Sequence, residues 1–326
     1  MASIKFDTKD RRILDALDKD PNITLNEIAK KVALSKQVVD YRIKRLEEQK
    51  TIYAFYTLID GGKLGYAAFR VHIKLKSISE EKYSSFAQQL FEHYPTFWVG
   101  FTSGSFDIII DFFAKSIYEF HLLFIKILQE HQDIILSYEI FPILELHMHN
   151  YGYFLDKADS RRDSILFVQQ AEKSLDEIDV KILQIIKSNS RIAYEEIGRM
   201  VKLTRNAVKH RIEQLEKTGI IAGYQMMIDF KHFERLSYKI FIQYDHSQIQ
   251  EEPALMNFIK HTQGILAHTK LLGRWNLDIE IQPTDAKALQ QFTIELRNRF
   301  RLIADYELIQ ILEDYGIDFF PKKLKM

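Results

Sequence analysis

The strongest constraint on this chain is a repeat, because the same pattern of residues returns after 169 positions. Between the segments Asp7–Asp60 and Asp176–Asp229, about 17 gapless counterparts are identical, which is typical of an internal duplication. Gly104 and Gly273 keep the same spacing, so the repeat spans nearly the whole chain. We therefore predict that one polypeptide folds as two like units, a pseudo-dimer within a single chain.

Composition allows several hydrophobic cores and excludes some functions. Apolar residues make up 46% of the 326 residues, and 23 Phe with 16 Tyr favour well-packed sheets. The absence of cysteine excludes disulfides and thiolate metal sites and fits a cytoplasmic protein. No apolar run reaches the length of a membrane span, so we expect no membrane partner. The formal net charge is zero, so any affinity for nucleic acid must come from local patches.

Each repeat begins with three short stripes of apolar residues at helical spacing. The stripes consist of Ile13, Leu14, Leu17, Ile28, Ala29, Val32, Val39, Ile43 and Leu46, and of Ile182, Leu183, Ile186, Ile197, Gly198, Val201, Val208, Ile212 and Leu215. A very short connection separates the second stripe from a capping Ser35 or Thr204, and a tight turn before a capped helix is typical of a helix-turn-helix. The segments 51–59 and 220–228 then predict a small wing hairpin in each copy.

The third helix of each copy carries polar side chains away from its apolar stripe. These are Lys36, Gln37, Tyr41 and Lys44 in the first copy and Arg205, Asn206, Lys209 and His210 in the second. Basic groups suit phosphates, and amide or guanidinium groups suit base edges, so we predict that these side chains contact double-stranded DNA. Because Asp40 repels phosphate where Lys209 attracts it, the two heads are expected to recognise unlike half-sites. Arg42 and Arg211 recur at the edge of the stripe, where an intramolecular Arg–Glu pair and a phosphate clamp both remain open.

After each wing the pattern becomes strand, helix, strand, strand, helix, strand. The predicted elements are 67–75, 80–93, 97–102, 106–113, 117–130 and 134–144 in the first copy, and 238–244, 252–262, 265–271, 277–282, 286–301 and 305–312 in the second. This order is typical of a four-stranded ferredoxin-like sheet with helices on one face, which makes the fold class α+β. The open face of each sheet needs a cover, and we expect the other copy to supply it.

These patterns divide the chain into five parts. Winged helix-turn-helix heads are predicted at 1–61 and 174–230, ferredoxin-like αβ bodies at 62–155 and 231–326, and a linker at 156–173. The linker opens charged and polar and then carries a short apolar piece, 165–171, which suits a tether with one or two helical turns. Two tethered heads raise each other's effective concentration on DNA, so weak half-sites suffice.

The heads and bodies together resemble the Lrp/AsnC, or feast/famine, family of transcription regulators. The family's head motif L-[ST]-x-x-x-V-x-x-R-[IV]-x-x-L-E is met twice, at Leu34, Ser35, Val39, Arg42, Ile43, Leu46 and Glu47 and at Leu203, Thr204, Val208, Arg211, Ile212, Leu215 and Glu216. By this resemblance the bodies are RAM-type domains that pair with each other. It also implies an amino-acid effector near the G-x-x-D turn, at Gly104, Ser105 and Asp107, whereas the second copy departs from the motif with Asn276. Self-association into dimers or higher oligomers, which would present four heads or more, stays open.

Two other functions are weighed against DNA binding. The first is a siroheme-decarboxylase-like enzyme, because such enzymes share this architecture and use His and Arg in the body. None of the body histidines recurs at the matching repeat position, and both heads keep basic outward residues that a decarboxylase does not need. The second is a small-molecule sensor that does not bind DNA, which the zero net charge permits. His147 and His149 provide the minimum for a metal site, but without an obvious third ligand we expect a surface strand end, and we predict no metal or other cofactor.

Overall fold

The computed structural model describes residues 5–77, 79–155, 162–168 and 173–322. In the described part of the first copy the helices are α1 (Thr8–Lys19), α2 (Leu25–Val32), α3 (Lys36–Glu48), α4 (Glu80–His93) and α5 (Ile117–Glu130), and the strands are β1 (Ile52–Ile59), β2 (Ala67–Leu75), β3 (Thr96–Ser103), β4 (Ile108–Ala114) and β5 (Ile135–His149). After β6 (Asp163–Leu166), the second copy has α6 (Glu177–Ile186), α7 (Tyr194–Val201), α8 (Arg205–Lys217), α9 (Glu252–His261) and α10 (Ala286–Arg299), with β7 (Ile221–Ile228), β8 (Ser237–Tyr244), β9 (Ile265–Leu271), β10 (Leu277–Ile281) and β11 (Ile303–Ile317). Within the described ranges, no helix combines the length and the apolar character that crossing a membrane requires.

Side-chain caps mark most of the helix starts in the heads. Asp7 caps α1 by accepting from the Asp10 backbone N–H at 2.7 Å, and the Asp10 side chain accepts from the Asp7 backbone in return. Thr24 and Glu27 form the same reciprocal arrangement at the start of α2. Ala193, at the corresponding position of the second copy, makes no side-chain cap to α7. Side-chain oxygens therefore satisfy backbone N–H groups at helix starts wherever the sequence supplies them.

The prediction of a wing hairpin in each copy is wrong. Each segment is a single strand, and β1 of the first copy pairs antiparallel with β7 of the second, with Thr57 opposite Tyr224. Each segment stays extended over eight residues without a turn, so its backbone groups need a partner from elsewhere, and its twin in the other copy provides one. We call β1 and β7 together the wing ribbon.

The two bodies form one closed sheet of eight strands. Their order is β2-β4-β3-β11-β8-β10-β9-β5, and β5 pairs back onto β2. Each body contributes a ferredoxin-like set, β5-β2-β4-β3 or β11-β8-β10-β9, which confirms the predicted α+β fold class. The two bodies are joined through their edge strands, since β3 pairs with β11 and β5 pairs with β9. Each of these eight strands therefore has a hydrogen-bonded neighbour on both sides over at least part of its length.

The closed sheet has an inner and an outer layer of side chains. On the outside, α4 and α5 pack against alternate residues of β2 such as Phe69 and Val71, and α9 and α10 pack against β8 residues such as Ile240. Inside, large side chains from both bodies meet, among them Phe141 and Trp275. This alternation along each strand gives the sheet two cores.

The described part of the linker is a strand and not the predicted helical turn. β6 pairs with the end of β5, where Leu166 lies opposite Leu146. Ile143 is the last residue of β5 that pairs with β2, where it lies opposite Ala68, so the remaining residues of β5 offer a free edge that β6 fills. The rest of the predicted apolar piece, at 169–171, lies outside the described residues.

Candidate nucleic-acid interface

The third helix of each head lies at the surface behind a tight turn. Ala33 and Lys202 end the preceding helices in the left-handed region, with φ of 51° and 58°. Ser35 then accepts from the Val38 backbone N–H at 3.3 Å, and Thr204 caps α8 in the same way. The helix-turn-helix geometry is therefore the same in both copies.

The side chains predicted to contact DNA are exposed. They are Lys36, Gln37, Tyr41 and Lys44 on α3 and Arg205, Asn206, Lys209 and His210 on α8. Three of them form surface ion pairs, since Lys44 contacts Asp40 at 2.8 Å, Arg205 contacts Glu195 at 2.7 Å, and Lys209 lies 3.6 Å from Glu213. Exposed pairs of this kind are worth little, so a phosphate can replace the acidic partner. The DNA contacts of these residues stay a prediction.

The two repeated arginines are intramolecular clamps. Arg42 donates to Asp7 and Asp10 at 2.8 Å each, and Arg211 donates to Asp176 and Asp179 at 2.7 Å each. Their partners are thus the aspartates that open α1 and α6, and not the glutamates considered from the sequence. Hydrogen bonds from the Asp10 and Asp179 backbone N–H groups, together with the arginines, lower the pKa of Asp7 and Asp176 although partial burial opposes this. Each clamp ties the third helix to the first.

The heads also contact each other directly. The Ser190 hydroxyl donates to the Asn22 side-chain oxygen at 2.7 Å, and Arg191 donates to the Ile23 carbonyl at 3.2 Å. The Arg191 guanidinium also lies over the Phe55 ring of the wing ribbon, 5.1 Å from its centre. Together with the wing ribbon, these contacts fix how the two third helices are placed relative to each other.

The predicted effector position, Gly104, Ser105 and Asp107, lies in the turn between β3 and β4, where Gly104 has a φ of +142°. Both carboxylate oxygens of Asp107 are occupied, because Lys74 donates to one at 2.9 Å and the Leu75 backbone N–H to the other at 2.7 Å. In the second copy the Asn276 side-chain oxygen accepts from the Tyr244 backbone N–H at 2.8 Å. The Asp-to-Asn difference therefore preserves the structural bond of the turn, and the effector site stays a prediction.

A cluster of buried charges inside the closed sheet escaped the sequence analysis. Arg70 and Lys239 occupy the same position in the two copies, and so do Asp111 and Glu280, which lie opposite them on the neighbouring strands. Arg70 donates to both oxygens of Asp111 at 2.7 Å and also contacts Asp278, and Lys239 lies 3.1 Å from Glu280. Burial works against the charge of Arg70, but the carboxylates around it raise its pKa above the usual value. The recurrence of a base and an acid at the repeat spacing, within otherwise apolar strands, was the signal that could have revealed the cluster.

His147 and His149 are more buried than the sequence suggested. The prediction that they lie at a surface strand end is wrong, because the side chain of His149 is fully buried and its Nε2 lies 2.9 Å from Nδ1 of His268. His147 lies 2.9 Å from Asp163 through its Nδ1. Burial and the neighbouring His147 and His149 lower the pKa of His268 to about 2. In the described part of the chain, no set of three or more His, Asp or Glu side chains is arranged to hold a metal ion.

The heads are similar to known DNA-binding domains. A family model for winged helix-turn-helix DNA-binding domains matches residues 6–52 and again residues 175–222. An uncharacterized HTH-type transcriptional regulator of Pyrococcus horikoshii is 36% identical over 140 residues, which make up 42% of this chain and 90% of that protein. LrpB, an HTH-type transcriptional regulator of Bacillus subtilis, is 42% identical over 55 residues, or 17% of this chain and 37% of LrpB. The first of these relatives thus aligns almost completely with less than half of the chain, as a duplication requires.

A solved structure is similar to the whole chain. The siroheme decarboxylase NirDL, crystallised in complex with an iron-uroporphyrin III analogue, aligns with a TM-score of 0.62 over 96% of this chain and 95% of its own. The two sequences are 12% identical, so the likeness is one of fold. It confirms that two heads and two bodies of this kind assemble into one duplicated architecture.

Proposed function

The chain belongs to the Lrp/AsnC family of HTH-type transcription regulators, and from this we propose that it is a sequence-specific DNA-binding regulator whose two heads act on one duplex. The observation that carries the proposal is the pair of exposed third helices, α3 and α8, held together by the wing ribbon and the contact between Ser190 and Asn22. Basic and amide side chains on both helices suit phosphates and base edges. Because the heads are joined, binding of one places the other beside the same duplex.

The dependence of binding on salt tests this proposal. Fragments of the source genome are bound to the full chain, and the dissociation constant is measured by fluorescence anisotropy over a range of salt concentrations. The slope of log K against log salt is about −0.9 for each phosphate contacted, so the double variant Lys36→Ala/Arg205→Ala is expected to flatten the slope by about two contacts. The control is Lys126→Ala on α5, an equally exposed basic residue in a body, which leaves the slope unchanged. Failure of the chain to bind any fragment at modest ionic strength contradicts the proposal.

An enzyme function receives less support from the site. A tetrapyrrole with several carboxylates needs free basic groups, but Arg70 and Lys239 inside the closed sheet already contact carboxylates. The shared fold with the siroheme decarboxylase does not transfer its chemistry to this chain.

The proposed amino-acid effector at the Gly104 turn has to act in the presence of Lys74, which occupies Asp107. Such an effector would favour one placement of the heads over another.

A further inference from the structure

We infer that the cavity between the wing ribbon and the closed sheet binds a small organic cation carrying one or two ammonium groups. Its lining comes from both parts of the molecule, with Tyr53, Gln225 and Met227 from the wing ribbon and Trp98 and Asp314 from the closed sheet. The cavity lies apart from the Gly104 turn, since no residue of that turn lines it. The binding of the cation stands independently, but its effect on DNA rests on the function proposed above.

The cavity has room for a small ligand. It holds about 70 Å³ of space open to the centre of a water molecule. One water needs about 10–15 Å³ by the same measure, so the space corresponds to about five water-sized groups. A short alkylamine or alkyl diamine matches this size.

The charges that line the cavity exclude an anion. Arg70 is bound by Asp111 on one side and Asp278 on the other, and Lys239 is bound by Asp278 and Glu280. Neither base has an unopposed charge left to offer to a phosphate or carboxylate ligand. The surrounding acids already outnumber these two bases, so an entering anion meets net repulsion.

The same count favours a cation. Asp111, Glu280 and Asp314 line the cavity together with the two bases, and Asp278, which is outside the lining, contacts both bases as a fourth carboxylate. The hydrogen bond that Asp314 accepts in the described part of the chain comes from the neutral indole N–H of Trp98 at 2.9 Å. Burial and the charge of Glu280 raise the pKa of Asp314 to about 6. The Oδ1 atom of Asp278, a residue that is 1% exposed, has no hydrogen-bond partner within the described ranges. Negative charge shielded from water without a basic group in direct contact is costly, and a ligand ammonium group beside Asp314 relieves that cost.

The position of the cavity connects it to the heads. Tyr53 lies five residues after the end of α3, and Met227 belongs to the strand that follows α8. A ligand held by Asp314 and covered by these two side chains therefore contacts the segments that carry both DNA-facing helices. The ligand shifts the equilibrium between two placements of the heads to the extent that its affinity for one placement exceeds its affinity for the other.

Titration calorimetry of the full chain without DNA tests the inference. The probes are 1,4-diaminobutane and n-butylamine, with butane-1,4-diol and succinate as the neutral and anionic counterparts, all at matched ionic strength. We expect saturable one-to-one binding of the diamine, weaker binding of the monoamine, and no heat from the other two. Asp314→Asn is expected to weaken diamine binding at least tenfold, whereas Glu313→Gln, a change at its exposed neighbour, leaves it unchanged.

Two further variants keep the test decisive. Glu280→Gln removes a second lining carboxylate and is expected to weaken the diamine as well, so the outcome does not depend on the folding of one variant. Asp107→Asn, at the Gly104 turn, leaves diamine binding unchanged. Absence of heat from both amines, binding that survives both cavity variants, or tighter binding of succinate than of the diamine overturns the inference. Because the titration contains no DNA, its failure is distinct from a failure of the proposed DNA binding.

Discussion

Replacing Arg70 by methionine perturbs the buried charge cluster at its centre. Arg70 is 2% exposed, and its guanidinium donates two bonds of 2.7 Å to Asp111 in addition to its contact with Asp278. Methionine fills much of the same space but carries no charge. Asp278 keeps Lys239 at 3.0 Å, whereas the buried Asp111 loses the basic partner that it has among the described residues.

The expected loss of stability follows from this asymmetry. Removing one partner of a buried ion pair costs about 3–5 kcal/mol, because the other charge remains buried and unpaired. We expect about 4 kcal/mol for Arg70→Met and less than about 2 kcal/mol for the double variant Arg70→Met/Asp111→Leu, in which both charges are gone. The single variant Asp111→Leu completes the cycle, and any loss of stability that it causes puts the coupling between the two sites at about 2 kcal/mol or more, in the range expected for residues in contact.

Urea unfolding followed by tryptophan fluorescence measures these values in the closed sheet. The chain has two tryptophans, Trp98 and Trp275, and both are buried inside that sheet, so the signal comes from the bodies and not from the heads. The control is Lys126→Met, which breaks an exposed pair with Glu130 and should cost less than about 0.5 kcal/mol. A loss below about 1 kcal/mol for Arg70→Met, or an equal loss for the single and double variants, refutes the reasoning.

Two predictions concern the heads. In binding selections, Lys36→Ala and Arg205→Ala are expected to relax sequence preference in different half-sites, because the exposed faces of α3 and α8 differ; relaxation of the same half-site by both variants contradicts this. The lowered pKa values of Asp7 and Asp176 stabilise the folded heads above the ordinary aspartate pKa of about 3.8, and this contribution is lost as the pH falls through the lowered values. Arg42→Gln/Arg211→Gln should therefore make the fall in melting temperature below pH 4 shallower than in the unsubstituted chain, and an unchanged profile argues against the clamps.

The heads were predictable because their structure depends on near neighbours. The caps at Asp7, Thr24 and Ser35 involve backbone groups three residues away, so the sequence displays both partners at once. The stripes at helical spacing likewise define which face of each helix is buried. The partners of Arg42 were not predictable in this way, because Asp7 and Asp10 are 35 and 32 residues distant.

The sequence by itself determined the duplication, the two helix-turn-helix heads, the βαββαβ order of the bodies and the family. The tertiary structure decided which strand edges meet: β1 pairs with β7 instead of folding back, and β3 and β5 join β11 and β9 to close the sheet. The same closure gathers Arg70, Asp111 and Asp278 into one cluster from three different strands. The physical reason is that backbone hydrogen bonding makes any strand edge compatible with any other, so the choice of partner depends on how whole units pack and not on the residues beside each strand.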